Sequence, residues 1–412
     1  GIALVCLVLM GLTWLQGPRI RSVSLDTSLA ATATNKQLLF HMNQPPGSIG
    51  KGQIQILPDA PFAVTSSGNT VAIQFTQPLL HNTKYEIRLQ TVDKRHSIRH
   101  TFYTKPATFY YAVSSQYKTE IRKQDMGTSM SQTIYNGNKI EDYLVIGNTL
   151  ALVVKENSKN SLILYDMRSR SSRYVTLPGD GTVTQLHGVP NKRLFGFMYT
   201  DHSNSAESNI LLYDMNTNIL QAAGFSLDHS LRAVEWQLAR NGTTLLIRTP
   251  DSSTFLLNRG AIPIPLGQYS QLFGFSHDDS TLLMRTMANK FVSLKVQERH
   301  APLVQQTNDI YVQTALPLFT KEGYVTQIQT SNSGIWSQNI TTSQKGAEQT
   351  RYINTSADKY IDAFSLSPND QLLAVEERLS QSDTHQSHII QSNDGHVLMT
   401  VDGNMVRWPS GL

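Results

Sequence analysis

The 412-residue sequence contains little cysteine and little charge. Cys6 is the only cysteine and lies in an apolar segment, so the rest of the chain can form neither a disulfide nor a thiolate metal site. Charged residues make up only 16% of the chain and apolar residues 40%, spread evenly, which argues against disorder. The chain also lacks the G-x-S-x-G motif of serine hydrolases and the D-x-[DN]-x-[DN]-G calcium loop.

One long uncharged segment stands at the N-terminus, over residues 2–15, with Trp14 where an interfacial anchor would lie. It is shorter than the roughly 20 residues of a membrane span, but the chain does not begin with Met, so we expect upstream residues to complete it. No small-residue cleavage site follows at Leu12–Gly17. These observations predict a transmembrane anchor, or an uncleaved signal, over residues 1–18, and a single-pass protein of the cell membrane with the bulk of the chain outside the cytoplasm.

Residues 19–106 show short apolar alternations separated by turn sequences. Examples are Leu38, Phe40 and Met42 before QPPGSIGKG, and Val71, Ile73 and Phe75 before LLHN. About seven short strands in under ninety residues is the count of an immunoglobulin-like β-sandwich. We therefore predict such a sandwich over residues 19–106.

The end of this region also carries a family resemblance. The stretch FTQPLLHNTKYEIRLQTVDKRHSIRHTFYTK resembles the end of the bacterial Ig-like domains first described in S-layer (SbsA-like) proteins. The match is carried by Pro78, Leu79, Asn82, Thr83, Tyr85, Ile87, Phe102 and Thr104. The resemblance implies a module of exported cell-envelope proteins, and no particular activity.

Charge is divided unevenly along the chain. Residues 19–106 hold ten Lys and Arg against four acids, a net charge of +6, whereas residues 107–412 hold 25 basic and 27 acidic residues, a net charge of −2. A basic module could contact an anionic polymer or anionic lipid. An ordinary solvated surface is the alternative. The basic cluster KRHSIRH lacks interleaved aromatic residues, so we expect no nucleic-acid partner.

From residue 107 onward a short sequence pattern recurs, in which a turn of Asn, Asp, Gly or Ser precedes an apolar strand. The first apolar residues after the turns are Leu150, Leu194, Leu245, Leu282, Tyr324 and Leu372, separated by 44, 51, 37, 42 and 48 residues. A strand-rich repeat of about 40–45 residues is typical of a β-propeller with one four-stranded blade per repeat. We therefore predict a β-propeller over residues 107–412.

Two further patterns support blades. SLILYDM at 161–167 and NILLYDM at 209–215 are near copies followed by polar turns, as expected where a third strand leads to an outer strand. The turns FSHDDSTLL and FSLSPNDQLL resemble those of TolB-type and WD40-like blades, with Asp279, Ser280 and Asp370 near the acidic turn position. The WD and GH dipeptides of true WD40 repeats are missing, so the resemblance implies the fold and nothing finer.

The ends of the repeat region suggest how the ring closes. Residues 109–126 resemble the inner strands of a blade without its first strand, and GNMVRWPSGL supplies an isolated strand at the C-terminus. Pairing the two would remove exposed sheet edges and give seven blades, with six as the alternative. The predicted fold class is thus all-β: an N-terminal transmembrane helix, an Ig-like sandwich and a propeller.

Candidate chemistry in the sequence is weak. His96 with His100, and His385 with His388 near Asp383, have spacings that a metal site could use, but strand and turn contexts favour ordinary surface histidines. The acidic pairs Glu141–Asp142, Asp278–Asp279 and Glu376–Glu377 fall in turns or at strand ends, where solvated acids are common. We therefore name no catalytic, cofactor-binding or metal-binding residue and no cofactor.

The sequence favours a binding protein whose propeller presents a face or its central channel to a protein or an envelope polymer. One alternative is a propeller enzyme of the glycosidase or lyase kind with its site in the channel. The other is a structural spacer without a specific ligand. Residues that line the channel discriminate among them, because an enzyme needs converging acids or histidines.

Overall fold

The computed structural model describes residues 18–27, 29–90, 97–156, 159–203, 208–223, 232–258, 261–298, 302–305, 311–332, 335–344, 350–354, 359–379 and 384–409. The chain divides into two compact units, residues 1–107 and 108–412. Strands dominate both units, and within the described ranges the helical structure is limited to the 3-10 turn Lys51–Gln53.

Unit 1 is a β-sandwich of two antiparallel sheets. Its strands are β1 (Ile20–Ser24), β2 (Lys36–Met42), β3 (Ile54–Leu57), β4 (Phe62–Ser67), β5 (Thr70–Phe75), β6 (Lys84–Gln90) and β7 (Ser97–Tyr103). One sheet has the order β1-β2-β5-β4 and the other the order β3-β6-β7. Alternate residues of both sheets, such as Phe40, Ile73 and Tyr85, enter one shared core. The assignment of this sandwich to the Ig-like family stays a prediction.

The predicted membrane anchor requires a correction. Among the residues that the structure describes, no helix has the length and apolarity needed to cross a bilayer. The transmembrane helix in our fold class and the single-pass location are therefore not supported, and residues 1–17 of the expected anchor lie outside the described residues.

Within its described residues, unit 2 contains seven four-stranded blades. Three strands of blade 1 are β8 (Thr108–Ser114), β9 (Lys118–Asp125) and β10 (Ser131–Asn138), and its inner strand comes from the C-terminus. Blade 2 consists of β11 (Ile140–Ile146), β12 (Thr149–Glu156), β13 (Lys159–Asp166) and β14 (Ser171–Tyr174), and blade 3 of β15 (Gly181–Gly188), β16 (Leu194–Asp201), β17 (Ser208–Asp214) and β18 (Ile219–Ala222).

Blades 4 and 5 share one long strand. They comprise β19 (Glu235–Leu238), β20 (Thr244–Arg248), β21 (Ser253–Asn258), β22 (Ile264–Phe275), β23 (Thr281–Thr286), β24 (Phe291–Lys295) and β25 (Leu303–Val304). The first part of β22 pairs with β21 as the outer strand of blade 4, and the second part pairs with β23 as the inner strand of blade 5. Two blades thus form one continuous sheet.

The last two blades complete the ring together with the C-terminal strand. Blade 6 contains β26 (Tyr311–Pro317), β27 (Gly323–Asn332), β28 (Ile335–Gln344) and β29 (Thr350–Asn354), and blade 7 contains β30 (Lys359–Leu366), β31 (Leu372–Leu379), β32 (His385–Gln391) and β33 (Val397–Asp402). The final strand, β34 (Asn404–Arg407), pairs with β8 and becomes the inner strand of blade 1. The predicted closure by the two ends is confirmed.

Cores between neighbouring blades explain why the second strands are apolar on both sides. In β12, Leu150 and Leu152 pack with blade 1, whereas the alternate residue Ala151 packs with Phe195 and Phe197 of blade 3. A strand buried on both faces is recognised by a continuous apolar run rather than by alternation. The near copies β13 and β17 are both third strands paired with an outer strand, as their sequences predict.

The recurring turn has a conformational cause. In five blades the connection between the first and second strands contains one residue with positive φ, which is Gly147, Asn191, Gly242, Asp279 or Asp370. Their φ values lie between 57° and 71°, the left-handed region that glycine, asparagine and aspartate tolerate best. The positive φ of this turn therefore explains why Asn, Asp or Gly recurs in the repeated sequence pattern.

Candidate functional site

The candidate site is a polar opening of about 660 Å³ where five blades of unit 2 meet. It is lined by the inner strands β34, β11, β15, β19 and β22 and by the second strands next to them, as expected for the central channel of a propeller. We call it the channel site. Its polar lining residues are Asp142, Gln185, His187, Glu235, Gln237, Arg248, Ser270, Gln271, Arg285 and Arg407.

Several acids around the channel bind backbone amides of the next blade. The Leu186 amide donates to Asp142 Oδ2 at 3.2 Å, and the Leu272 amide donates to the Glu235 carboxylate. At the junction that closes the ring, the carboxylate of Glu376 accepts the amide hydrogens of Met405 and Val406 in β34. These three acids therefore connect blade 2 to 3, blade 4 to 5 and blade 7 to 1.

Uncharged side chains and one arginine make the same kind of contact at the other four junctions. The bonds are Ile140 N to Thr119 Oγ1 at 3.2 Å, Gln185 Nε2 to Val234 O at 3.1 Å, Arg285 Nη1 to Val312 O at 3.1 Å and Ile361 N to Gln338 Oε1 at 2.7 Å. Every one of the seven junctions thus has a side-chain-to-backbone bond. Because buried backbone groups need partners, these polar residues stabilise the ring.

Arg407 links the C-terminal strand to blade 2. Its Nη2 lies 3.0 Å from Asp142 Oδ1, and its Nε donates to the Tyr143 carbonyl at 3.1 Å. The Tyr143 hydroxyl donates in return to the Met405 carbonyl at 2.8 Å. Burial by itself would lower the pKa of Arg407, but Asp142, Tyr143 and Glu376 hold that pKa above its usual value. Arg407 therefore stays charged within this closing contact.

A second ion pair lies in blade 4, where Arg248 Nε contacts Glu235 Oε2 at 2.9 Å and both side chains are about one-fifth exposed. Burial raises the pKa of Glu235, although Arg248 and the Leu272 amide oppose that shift. Glu235 is thus held by an arginine and by a backbone amide at once.

Arg285 differs from the other two arginines. Its Nε donates to Ser270 Oγ at 3.2 Å, and its Nη1 donates to the Val312 carbonyl and to the Tyr311 hydroxyl. Its guanidinium carbon lies 4.7 Å from the centroid of the Tyr311 ring. Within the described part of the chain, Arg285 forms no ion pair with a carboxylate. Its hydrogen bonds therefore go to neutral groups, while its charge helps to lower the pKa of the nearby Glu235.

His187 contributes an uncharged ring to the channel. The ring is half-buried and meets Trp236 edge-on at 4.7 Å between centroids. Burial lowers the pKa of His187 to about 4, against a smaller opposing effect of Asp142. The imidazole is therefore neutral at physiological pH.

A second set of acids joins the turns between first and second strands. Asp279 Oδ1 and Oδ2 accept the amide hydrogens of Arg240 and Asn241 at 3.0 and 2.9 Å. Asp370 accepts those of Phe319 and Thr320 at 2.7 Å each. These contacts tie the turn of blade 5 to that of blade 4, and the turn of blade 7 to that of blade 6.

One member of each acidic pair in the sequence is not the solvated acid that we expected. Asp142, Asp279 and Glu376 each bind amides outside their own blade, whereas their neighbours do not. Glu141 is exposed, Asp278 bonds to serines of its own turn, and Glu377 pairs with Lys359 and His388 of its own blade. Asp142 lies in a first strand, Asp279 in a turn and Glu376 in a second strand, so no single position of the repeat marks these three anchors.

The histidine pairs are likewise separated. His385 lies 3.3 Å from Asp362, and His388 lies 3.3 Å from Glu377, so the two belong to different contacts. His96 and Asp383 lie outside the described residues, and His100 packs against Phe40. Among the described side chains no group of three His, Cys, Asp or Glu could hold a metal ion.

In unit 1, part of the positive charge is compensated locally. Arg88 and Arg99 of the basic region both contact Glu86, while Lys94 and Arg95 lie outside the described residues. The contact of this unit with an anionic polymer or lipid finds no support in the structure.

No protein-family model matches the sequence, and no curated protein matches it. Among solved structures, the chain is similar to an oligogalacturonate lyase from Vibrio parahaemolyticus, with 8% identity and a TM-score of 0.50 over 72% of this chain and 84% of that one. It is also similar to a quinonprotein alcohol dehydrogenase-like protein from Bacteroides thetaiotaomicron, with 12% identity and a TM-score of 0.48 over 95% of this chain and 99% of that one. TolB from Acinetobacter baumannii matches with 12% identity and a TM-score of 0.42 over 86% of this chain and 82% of that one.

At such identities a structural likeness shows the fold alone. The expected β-propeller is confirmed, whereas the S-layer-type Ig-like family and the membrane attachment find no support in these comparisons.

Proposed function

We propose that unit 2 is a binding module for a protein or polymer partner and that the partner is received at the channel site. The observation that carries this proposal is the use of the channel acids. Asp142 and Glu235 each bind an arginine and a backbone amide of the next blade. Their oxygens are committed to the scaffold, so the opening presents preformed hydrogen-bond donors rather than unengaged carboxylates.

The same observation weighs against a channel enzyme. General acid–base catalysis needs a titratable group that can reach the substrate with a pKa near the working pH. His187 is neutral with a pKa of about 4. Burial raises the pKa of Glu235, but Glu235 and Asp142 are each held by an arginine and by a backbone amide, which leaves neither carboxylate unengaged for a substrate. A structural spacer would not need an opening of about 660 Å³, which lies within the range of ligand pockets of about 300–1,000 Å³.

Titration of the full chain with a panel of soluble proteins and polysaccharides tests the proposal, followed by the same titration with Gln271→Trp, whose indole would obstruct the opening. We expect at least one partner to bind saturably and to lose affinity for this variant. Each partner is also analysed for cleavage after long incubation. Turnover that Gln271→Trp abolishes would establish the enzyme alternative, and the absence of any saturable partner would favour the spacer.

A further inference from the structure

The channel site carries more positive charge than its surroundings. Its lining includes three arginines, from blades 4, 5 and 1, and two acids. Residues 107–412 as a whole have a net charge of −2. The opening thus carries an excess of positive charge in an otherwise slightly acidic unit. Charge of one sign that lines a low-dielectric cleft attracts a ligand of the opposite sign.

Two of the three arginines are already engaged by carboxylates, Arg248 by Glu235 and Arg407 by Asp142. Arg285 is held instead by Ser270, Val312 and Tyr311, which are neutral. The two hydrogens on its Nη2 have no acceptor among the described residues. The third cation of the opening thus keeps donors available for a ligand.

The guanidinium of Arg285 is also held in place before any ligand binds. Three hydrogen bonds and the face of Tyr311 fix its plane. A fixed guanidinium loses little side-chain entropy on binding, and its planar fork matches the oxygens of a carboxylate or a phosphate. The side-chain amides of Gln237 and Gln271 line the same opening and are neutral donors that suit the remaining oxygens of such a group, whereas the Ser270 hydroxyl donates its hydrogen to the backbone of β23.

We propose that the channel site binds a carboxylate or phosphate group of its ligand, with Arg285 as the anchoring residue. This inference rests on the proposed function, since it names the chemistry of the ligand at the same site. Arg248 and Arg407 are each paired with a carboxylate, so Arg285 supplies the excess positive charge of the opening. A ligand that lacks an anionic group would leave the Nη2 donors of Arg285 without partners.

The test uses the full chain, with citrate and inorganic phosphate as probes and with sodium chloride at matched ionic strength as the blank. Binding is followed by calorimetry and by the rise of the unfolding temperature. We expect saturable binding of at least one probe, and the preference between the two identifies the oxyanion. Arg285→Gln should weaken the affinity for the probe by about tenfold or more, as expected for the loss of a charged hydrogen bond. The affinity of Arg285→Lys should lie between those of Arg285→Gln and the wild type.

Arg173→Gln is the matched control, because Arg173 is exposed on the outer strand β14 and bonds only to Asn218 among the described residues. It should bind both probes as the wild type does. Equal binding by Arg285→Gln and the wild type, or no saturable binding of either probe, would overturn the inference. Circular dichroism and the unfolding temperature without probe show whether each variant is folded.

The two proposals can fail separately. If a partner binds Arg285→Gln normally but loses affinity for Gln271→Trp, the channel site remains the binding site and the proposed anionic group of the ligand is contradicted. If a partner binds both variants normally, the channel site as the binding site and the anionic group of the ligand are both contradicted.

Discussion

Glu376 holds the amide of Val406 at 2.7 Å, which attaches the C-terminal strand to blade 7 across the last junction of the ring. Its other carboxylate oxygen accepts the Met405 amide at 2.8 Å, and its side chain is only 5% exposed. The inner strand of blade 1 is therefore held from two sides, by β8 through the sheet and by Glu376 through its side chain. Closure of the propeller depends on one carboxylate as well as on strand pairing.

Glu376→Gln should weaken this closure. Glutamine keeps one acceptor oxygen and directs its NH2 group at a backbone N–H, so one buried donor loses its partner. We expect the free energy of unfolding of unit 2 to fall by about 2 kcal/mol. Urea unfolding of the full chain measures the loss, and hydrogen exchange should be faster in the peptide that contains residues 404–409.

Glu298→Gln is the control for this change. Glu298 is about three-fifths exposed and pairs with Lys295, so its replacement should change stability by less than about 0.5 kcal/mol. If Glu376→Gln unfolded at the same urea concentration as Glu298→Gln, the carboxylate would have no part in closing the ring.

The sequence predicts the blades and their closure because both depend on local signals. A positive-φ turn requires Gly, Asn or Asp, and a strand buried on both faces requires consecutive apolar residues such as Leu150 and Ala151. The shared strand of blades 4 and 5 is not visible in the sequence, because β22 has no turn where one blade ends and the next begins.

The roles of the acids could not be predicted for a different reason. Asp142 and Glu141 are adjacent and of the same type, and only the position of blade 3 decides which of them meets the Leu186 amide. That is a contact between residues 44 positions apart, which composition and period do not encode. Our interpretation of these acids as solvated was wrong because it considered each turn without its neighbouring blade.

Asp279 and Asp278 make a matched pair for a second prediction. Asp279 uses both oxygens on the amides of Arg240 and Asn241, whereas Asp278 uses Oδ1 for its bonds to Ser276 and Ser280. Asparagine tolerates the positive φ of position 279 but can replace only one acceptor. We expect Asp279→Asn to cost about 1–2 kcal/mol and Asp278→Asn less than half of that, by urea unfolding. Equal costs would contradict a role for Asp279 between blades.

His81 makes the stability of unit 1 dependent on pH. Burial lowers its pKa from 6.5 to about 4, against a smaller opposing effect of a hydrogen bond with the backbone of Lys105. The unfolded chain therefore takes up a proton near pH 6.5 while the folded chain does not. The contribution of the neutral ring to the free energy of unfolding is fully present above pH 6.5. It is lost as the pH falls from about 6.5 to 4, and the total loss is about 3 kcal/mol.

This loss can be measured on the full chain. An NMR titration should place the pKa of His81 near 4. Calorimetric unfolding should show a smaller fall in stability between pH 7 and 4.5 for His81→Gln than for the wild type. A His81 pKa near 6.5 in the folded protein would contradict the prediction.

Gly196 allows blades 3 and 4 to pack closely. A Cβ at this position would lie 2.5 Å from Cη2 of Trp236 and 2.7 Å from Cδ2 of Leu212, and both side chains are buried. Gly196→Ala should therefore destabilise the protein by about 2 kcal/mol through overpacking. Gly188→Ala is the control in the paired strand β15, because its Cβ would meet only Leu144 at an ordinary 3.6 Å.

Leu212→Ala tests how much of this overpacking comes from Leu212 rather than from Trp236. It removes the Cδ2 atom that the new methyl group would strike, so the double variant with Gly196→Ala should lose less stability than the sum of the two single changes. Urea unfolding of the four proteins gives this coupling free energy. Strict additivity would remove the close contact with Leu212 as a reason for glycine at this position and would leave the contact with Trp236.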